Sequence, residues 1–194
     1  IILDELKPDD PHIKDVKLIV EQADRCKGIV SGLLNFARKN KVKPQEVNIK
    51  EFIERSLKSV VIPQNVKTKI NIHNHDLTIM IDSDQMMQVF TNLEKNACEA
   101  MPEGGDLTID INGDDKNMVI KISDTGTGIA EENLDKLFTP FFTTKEIGKG
   151  TGLGLPLVYG IVKMHKGKID VSSNADSEAG KTGTTFTITL PRVF

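Results

Sequence analysis

Cysteine is almost missing. Cys26 and Cys98 are the two in 194 residues. Their spacing suits neither a metal site nor a disulfide framework, so both read as small buried side chains in a reducing compartment. An excess of basic charge is missing too. The formal net charge of −3 argues against a nucleic-acid surface by bulk electrostatics. No apolar run approaches the roughly 18 residues that span a bilayer, and no signal peptide opens the chain. There is no internal repeat and no long low-complexity tract. The chain opens on Ile1 rather than methionine, as a piece of a longer protein would. What is present is ordinary for a globular protein: 38% hydrophobic and 27% charged residues. The length allows one full core and a smaller appendage.

The appendage comes first. Between Pro11 and Asn40, Val16, Val20, Ala23, Val30, Leu34 and Ala37 fall on a three-four spacing. Ile19, Cys26, Ile29, Leu33 and Phe36 form a second stripe beside them. Two stripes predict a long helix in a bundle, or one shared between a bundle and a neighbouring domain. A single amphipathic helix lying on the main core is the competing reading. Asp9 or Asp10 before Pro11 is a start signal. The polar, proline-containing stretch Lys41–Glu46 marks a boundary, dividing the chain into residues 1–43 and 44–194.

Beyond it the pattern is mixed. Strands are expected at Glu46–Ile49, Lys67–Ile72 and Leu77–Ile81. Helices are expected at Lys50–Val60 and at Ser83–Met101, the latter capped by Asp82. "DLTIDING" and "MVIKISD" alternate apolar with polar residues around the turn "GDDKN". "LPLVYGIVKMHKG" is a helix closed by Gly167, and "KIDVSSN" and "TTFTITLP" are the last strands. Strands paired by hairpins and interleaved with helices predict an α+β sandwich, one sheet face covered by helices.

Three stretches carry chemistry. In "NLEKNACEA", Asn92, Asn96 and Glu99 share one helical face. Two asparagines a turn apart on an apolar helix need a reason, because the amide competes for backbone bonds. An amide oxygen is a hard, neutral ligand suited to Mg²⁺; a polar solvent face is the alternative. Asp124 ends a strand and enters "TGTG". A carboxylate there can accept a bond from an exocyclic amine, the group that separates adenine from guanine, and glycines let a flat base approach. A hairpin turn accounts for the same residues. "GKGTGLGLPLV" leaves successive N–H groups free for an anion, in front of the positive end of a helix. Pro156 suits a first helical turn. Lys145 and Lys149 flank this loop and can neutralise phosphate charge. It does not follow the P-loop spacing. Phe138, Phe141 and Phe142 in "LFTPFFTTK" can anchor a lid or belong to the core. The lid segment "KEIGKGTG" has Ile147 as its apolar anchor and is expected to order when a triphosphate engages its amides.

The order of these stretches over roughly Val47 to Phe194 resembles the N, G1, F and G2 boxes of sensor histidine kinases. The resemblance implies the Bergerat ATP-binding fold, a two-layer α+β sandwich with a mixed, mostly antiparallel sheet. The same fold is shared with gyrase, heat-shock chaperone and mismatch-repair ATPases. It implies ATP and Mg²⁺ as cofactors, with Asn96 as the Mg²⁺ ligand and Asp124 as the adenine-reading carboxylate. Gly126 and Gly128 would form the floor under the base. Gly148, Lys149, Gly150, Thr151, Gly152, Leu153 and Gly154 would form the lid and triphosphate cradle. Thr184 in "GTTF" resembles a threonine that supports adenine recognition through water. Asn92, Glu99, Ile129, Phe138 and Lys145 join the ATP-binding set, with Asn92 and Lys145 given catalytic roles. Glu94 stands where the family usually has an apolar residue. It lies about 200° round the helix from Asn92 at 100° per residue, so it is expected to point away from the phosphates.

The leading helix is similar to the second helix of the family's dimerisation and phosphotransfer hairpin. The first, histidine-bearing helix has no match here: His12, His73, His75 and His165 lack its surroundings. The implied partners are therefore ATP, a histidine-bearing hairpin helix of the parent protein, and a response-regulator receiver domain. The parent is expected to be a homodimer, anchored in a membrane or not, with this part in the cytoplasm. Three readings compete: phosphotransfer to histidine, a self-contained clamp ATPase, and a nucleotide-binding module without chemistry. The clamp enzymes resemble this helix but place a water-activating glutamate four residues before the Mg²⁺ asparagine. Asn92 stands there instead, and an amide cannot act as a general base.

Overall fold

The computed structural model of the protein describes residues 10–20, 22–23, 41–73, 76–145 and 150–193. Alternation builds its main sheet. Strands β4 (Gly105–Gly113) and β5 (Asn117–Asp124) turn Leu107, Ile109, Ile111, Met118, Ile120 and Ile122 inward. Strand β7 (Gly183–Pro191) adds Phe186, Ile188 and Leu190. The residues between them face outward, as a pleat of period two requires. With β2 (Val66–Ile72) and β6 (Lys168–Asn174), the strand order is β2-β4-β5-β7-β6. β2 runs parallel to β4, and the other pairings are antiparallel. The sheet is thus mixed and mostly antiparallel, as expected. A second, two-stranded sheet joins β1 (Gln45–Asn48) to β3 (Thr78–Ile81).

Helices cover the inward face. The Asn48 side chain caps α1 (Ile49–Ser59) by accepting from the amides of Lys50 and Glu51. Asp82 caps α2 (Ser83–Glu99) by accepting from the Gln85 amide at 3.1 Å. A single short turn, α3 (Glu131–Leu134), precedes α4 (Gly154–Met164). Phe52 of α1 meets Phe90 of α2 edge to face, ring centroids 5.7 Å apart. His165, buried at the end of α4, ties that end to the start of α2. Its Nε2 accepts from the Asp82 amide at 3.1 Å, while Nδ1 donates to the Ile161 carbonyl at 2.9 Å. Both contacts suit a neutral ring, and burial pushes its pKa down.

Two expectations need comment. Gly167 was the expected stop of α4, but the left-handed residue there is Lys166, with φ 57°. Gly167 serves close packing instead: a Cβ on it would lie 2.7 Å from both Thr189 O and Leu190 Cδ2. The long helix expected over residues 11–40 lies mostly outside the described residues. Residues 13–20 are helical, and Asp10 opens them by accepting from the His12 amide at 2.8 Å. Cys98 is buried. Among the described residues, no helix is long and apolar enough to cross a membrane.

Candidate functional site

Helix α2 forms one wall of a cavity of about 390 Å³. Asn92, Asn96 and Glu99 line it, as their shared helical face requires. The core-facing side of the same helix carries Met86, Val89, Phe90, Leu93 and Ala97. Asn92 Nδ2 donates to the Gln88 carbonyl at 2.7 Å, which fixes the amide with Oδ1 beside Gly154. A Cβ at Gly154 would lie 2.8 Å from that oxygen. Glycine there lets the start of α4 reach the asparagine.

Strand β5 delivers the carboxylate. Asp124 continues the inward stripe of Met118, Ile120 and Ile122, so alternation turns it toward the interior rather than solvent. Its register partner is Thr184, which begins the inward stripe of β7. Asp124 Oδ1 accepts from the amides of Gly126 at 2.9 Å and Thr184 at 3.3 Å. Among the described residues no protein donor bonds Oδ2. Burial pushes this carboxyl up, and the two amide bonds pull against it. The carboxylate is aimed by one oxygen and has the other available in a cavity wall. Thr184 Oγ1 lies 2.9 Å from Ser173 Oγ, which also accepts from the Ile129 amide at 2.8 Å and donates to the Gly183 carbonyl at 2.9 Å.

The opposite rim comes from the glycine-rich loop. Gly150, Thr151 and Gly152 line the cavity, with Gly154 at the start of α4. The N-terminus of α4 carries no side-chain cap, so its first amides are open to an anion. Gly152 is left-handed at φ 64° and accepts from the Phe141 amide at 2.9 Å, clipping the loop to the aromatic run. Phe141 itself is left-handed at φ 68° with its ring exposed, a conformation uncommon for a bulky side chain. Lys145 Nζ donates to Asn96 Oδ1 at 3.1 Å and pairs with Glu99 Oε2.

Most of the expected residues meet here, with Gly128, Ile129 and Thr184 lining the cavity together with Asp124. Gly148 and Lys149 lie outside the described residues. Three others sit off the cavity wall. Gly126 is buried under the end of α2, where a Cβ would lie 2.4 Å from the Ala100 carbonyl; it allows that approach rather than flooring the cavity. Gly128 does reach the cavity, left-handed at φ 71°. Phe138 stacks on Tyr159 of α4, centroids 5.2 Å apart, and so anchors the aromatic run to the helix. Leu153 holds the N-cap position of α4. Phe142 lines the cavity, which sequence left open. Ser173 was missed. Its signal was position: a polar residue directly across the β6–β7 ladder from Thr184.

Glu94 points away from the cavity, as the helical wheel requires. It is fully buried against α1, with Ser56 Oγ 2.5 Å from its Oε1 and no partner for Oε2. Burial raises its carboxyl from 4.5 to about 7, with the Ser56 bond acting in the opposite direction.

Comparison with known proteins gives concordant matches. The family described as histidine kinase-, DNA gyrase B-, and HSP90-like ATPase matches residues 81–193. Sensor kinase CckA of Brucella abortus is 38% identical over 211 aligned residues, covering 100% of this chain and 22% of its own length. Sensor histidine kinase ZraS of Escherichia coli is 35% identical over 90% of this chain and 37% of its own. The chain thus spans less than half the length of these curated relatives. The catalytic domain of histidine kinase ThkA superposes with a TM-score of 0.66 at 29% identity, covering 78% of this chain and 99% of that domain. ThkA in complex with the response regulator TrrA gives a TM-score of 0.75 at 25% identity, over 97% of this chain and 53% of that one.

Proposed function

The chain belongs to the histidine kinase-, DNA gyrase B- and HSP90-like ATPase family, and from that premise we propose that it is the ATP-binding kinase end of a longer sensor histidine kinase. Residues 44–194 would be the catalytic unit, and residues 1–43 would belong to the phosphotransfer hairpin. The observation that carries this reading is the Asp124 carboxylate. It is aimed by two backbone amides with one oxygen available, in the same cavity as Asn92, Asn96 and an uncapped helix N-terminus. Adenine would lie against Asp124 and Thr184, its exocyclic amine donating to Asp124 Oδ2. The triphosphate would run toward the glycine loop and the amides of α4.

The oxygens of the α2 wall fit a hard cation. Asn96 Oδ1 and Glu99 Oε2 already converge on one ammonium, that of Lys145. Asn96 would hold Mg²⁺, which supplies charge neutralisation to the phosphates when bound. Lys145 and the loop amides add further positive charge around the transferring group. In the transfer, a histidine nitrogen on the hairpin uses its lone pair to bond the γ-phosphorus. The bond from that phosphorus to the β–γ bridging oxygen breaks, ADP leaves, and the imidazolium proton passes to solvent. The phosphorylated histidine then serves a response-regulator receiver domain. On this reading the parent would be a homodimer with this ATP-using part in the cytoplasm.

Two of the three described histidines are poor acceptors, while His12 is exposed. His165 is closed off in the core, and His73 is held near Asp110 on the open face of the sheet. Asn92 provides no base for water. The chain is therefore expected to bind Mg·ATP, hydrolyse it slowly and leave itself unlabelled. Incubation with γ-labelled ATP and a separate polypeptide carrying the complete hairpin should label that partner. The label should be acid-labile and alkali-stable, as a phosphoramidate is. Rapid turnover by the chain alone, or stable label on His12, His73, His75 or His165, would refute the division of labour.

Asn96→Ala tests the metal assignment. The side chain sits on the cavity wall outside the core, so the fold should survive. The Mg²⁺ dependence of ATP affinity, read by calorimetry with and without the ion, should disappear. A variant that keeps its full Mg²⁺ response would make Asn96 a wall amide only.

A further inference from the structure

Glu99 is out of place in a triphosphate site. It lines the same cavity as Asn96 and the glycine loop, where an unpaired carboxylate would repel phosphate. The structure pairs it. Its Oε2 meets Lys145 Nζ, and the same ammonium donates to Asn96 Oδ1 at 3.1 Å. The outer oxygen, Oε1, has Lys95 Nζ at 3.8 Å.

The loop is shaped to bring Lys145 there. Its backbone amide donates to Thr143 Oγ1 at 3.2 Å. A Cβ at Gly150 would lie 2.5 Å from that same hydroxyl and 3.2–3.3 Å from Lys145 Cβ and Cδ. Glycine at 150 thus leaves room for the lysine stem to cross the loop toward α2. One monovalent cation, tethered to the lid segment, sits on the two oxygens that a hard divalent ion would take.

We infer that Lys145 is a tethered counter-cation that fills the divalent-ion seat formed by Asn96 Oδ1 and Glu99 Oε2, so that metal gains the seat only together with a triphosphate. The inference rests on the nucleotide-site reading of this cavity. Ammonium and divalent ion repel at contact distance and cannot share the two oxygens. A triphosphate entering beside α4 offers the ammonium oxygens of greater charge and draws it off Glu99. The same movement uncovers the seat and brings the lysine to the phosphates. Nucleotide and metal therefore enter as a unit, and the nucleotide-free protein holds divalent ions poorly. Glu99 is a positioning residue in the first state and a metal-facing carboxylate in the second.

The test uses Mn²⁺ as the probe, titrated into the nucleotide-free chain and followed by loss of the free-ion electron paramagnetic resonance signal. Lys145→Met should bind Mn²⁺ at least tenfold more tightly than the parent, and added Mg²⁺ should displace it. Adding Glu99→Gln to that variant should return the affinity to the parental level or below. Both side chains are more than a third exposed, 38% and 36%, so neither change threatens the fold. Equal Mn²⁺ binding by the parent and Lys145→Met overturns the inference. So does a double variant that keeps the whole gain. A separate titration of the parent with a fluorescent ATP analogue, without metal, reports the nucleotide-site reading. Failure there would overturn the proposed function, whereas the ranking of Mn²⁺ affinities is read independently of it.

Discussion

Asp124→Asn is expected to weaken ATP and ADP binding roughly tenfold to a hundredfold and to erase the preference for adenine over guanine. Asp124 Oδ1 is spent on the amides of Gly126 and Thr184. The asparagine oxygen can keep those two bonds, because only one oxygen makes them. The NH₂ group then occupies the place of Oδ2 and presents donors to a donor, the exocyclic amine. One charge-assisted bond is lost, about 1.5–3 kcal/mol. The structure lets the fold survive the change: the inward stripe behind Asp124 is apolar and independent of its charge. Calorimetry with ATP and GTP on parent and variant checks it. Equal affinity of the parent for both nucleotides would remove Asp124 from adenine recognition.

Glu94→Gln is expected to flatten the pH dependence of stability. Ser56 Oγ lies 3.0 Å from the Ile53 carbonyl and 2.5 Å from Glu94 Oε1. A hydroxyl has one proton. If it goes to Ile53, the contact with Oε1 requires the proton of a neutral carboxyl. Ionised Glu94 takes the Ser56 proton and leaves Oε2 buried without a donor. The folded carboxyl is accordingly raised from 4.5 to about 7. The folded state then binds more protons than the unfolded chain between those values. Stability is full below the unfolded value and falls as pH rises through the folded one. Between about pH 5 and about pH 8 the loss comes to about 2–3 kcal/mol. Glutamine keeps the shape, can donate to Ser56 and cannot ionise. Urea denaturation of both proteins across this range should show the parental slope shrinking by that amount in the variant. Asp124 and His165 titrate in both proteins, so the difference isolates Glu94. An unchanged slope would assign the proton elsewhere.

The inward placement of Asp124 was legible because strand alternation is a strict rule. In "MVIKISD" the period that buries Met118, Ile120 and Ile122 carries Asp124 inward with them. Helical spacing likewise put Asn92, Asn96 and Glu99 on one wall and turned Glu94 off it. What spacing cannot supply is the neighbour across a tertiary contact. Nothing local to Glu94 names Ser56, 38 residues away. Nothing in the loop says that Lys145 reaches back 46 residues to Glu99. Gly126 looked like a base floor because glycine near a ligand motif suggests close approach. The approach is real, but the partner is the Ala100 carbonyl. The stop of α4 went to Lys166 because Gly167 is needed against β7. The overall α+β plan survived these local misreadings, since it depends on the order and type of elements rather than on single caps.

The strand order also sets when the Asp124–Thr184 rung comes into being. β4 pairs with β5 and β6 pairs with β7 as near neighbours in the chain, and hairpins of that kind close early. The β5–β7 seam joins the two halves of the sheet, and its last rung links Asp124 to Thr184, 60 residues apart. Loop closure of that length is a late and entropically costly step. Each half can form its hairpin while the carboxylate still lacks the amide of Thr184 that aims it. The fully aimed Asp124 carboxylate therefore arrives with closure of the seam. A nascent chain released before β7 has docked carries the glycine motifs without the Thr184 amide that aims Asp124.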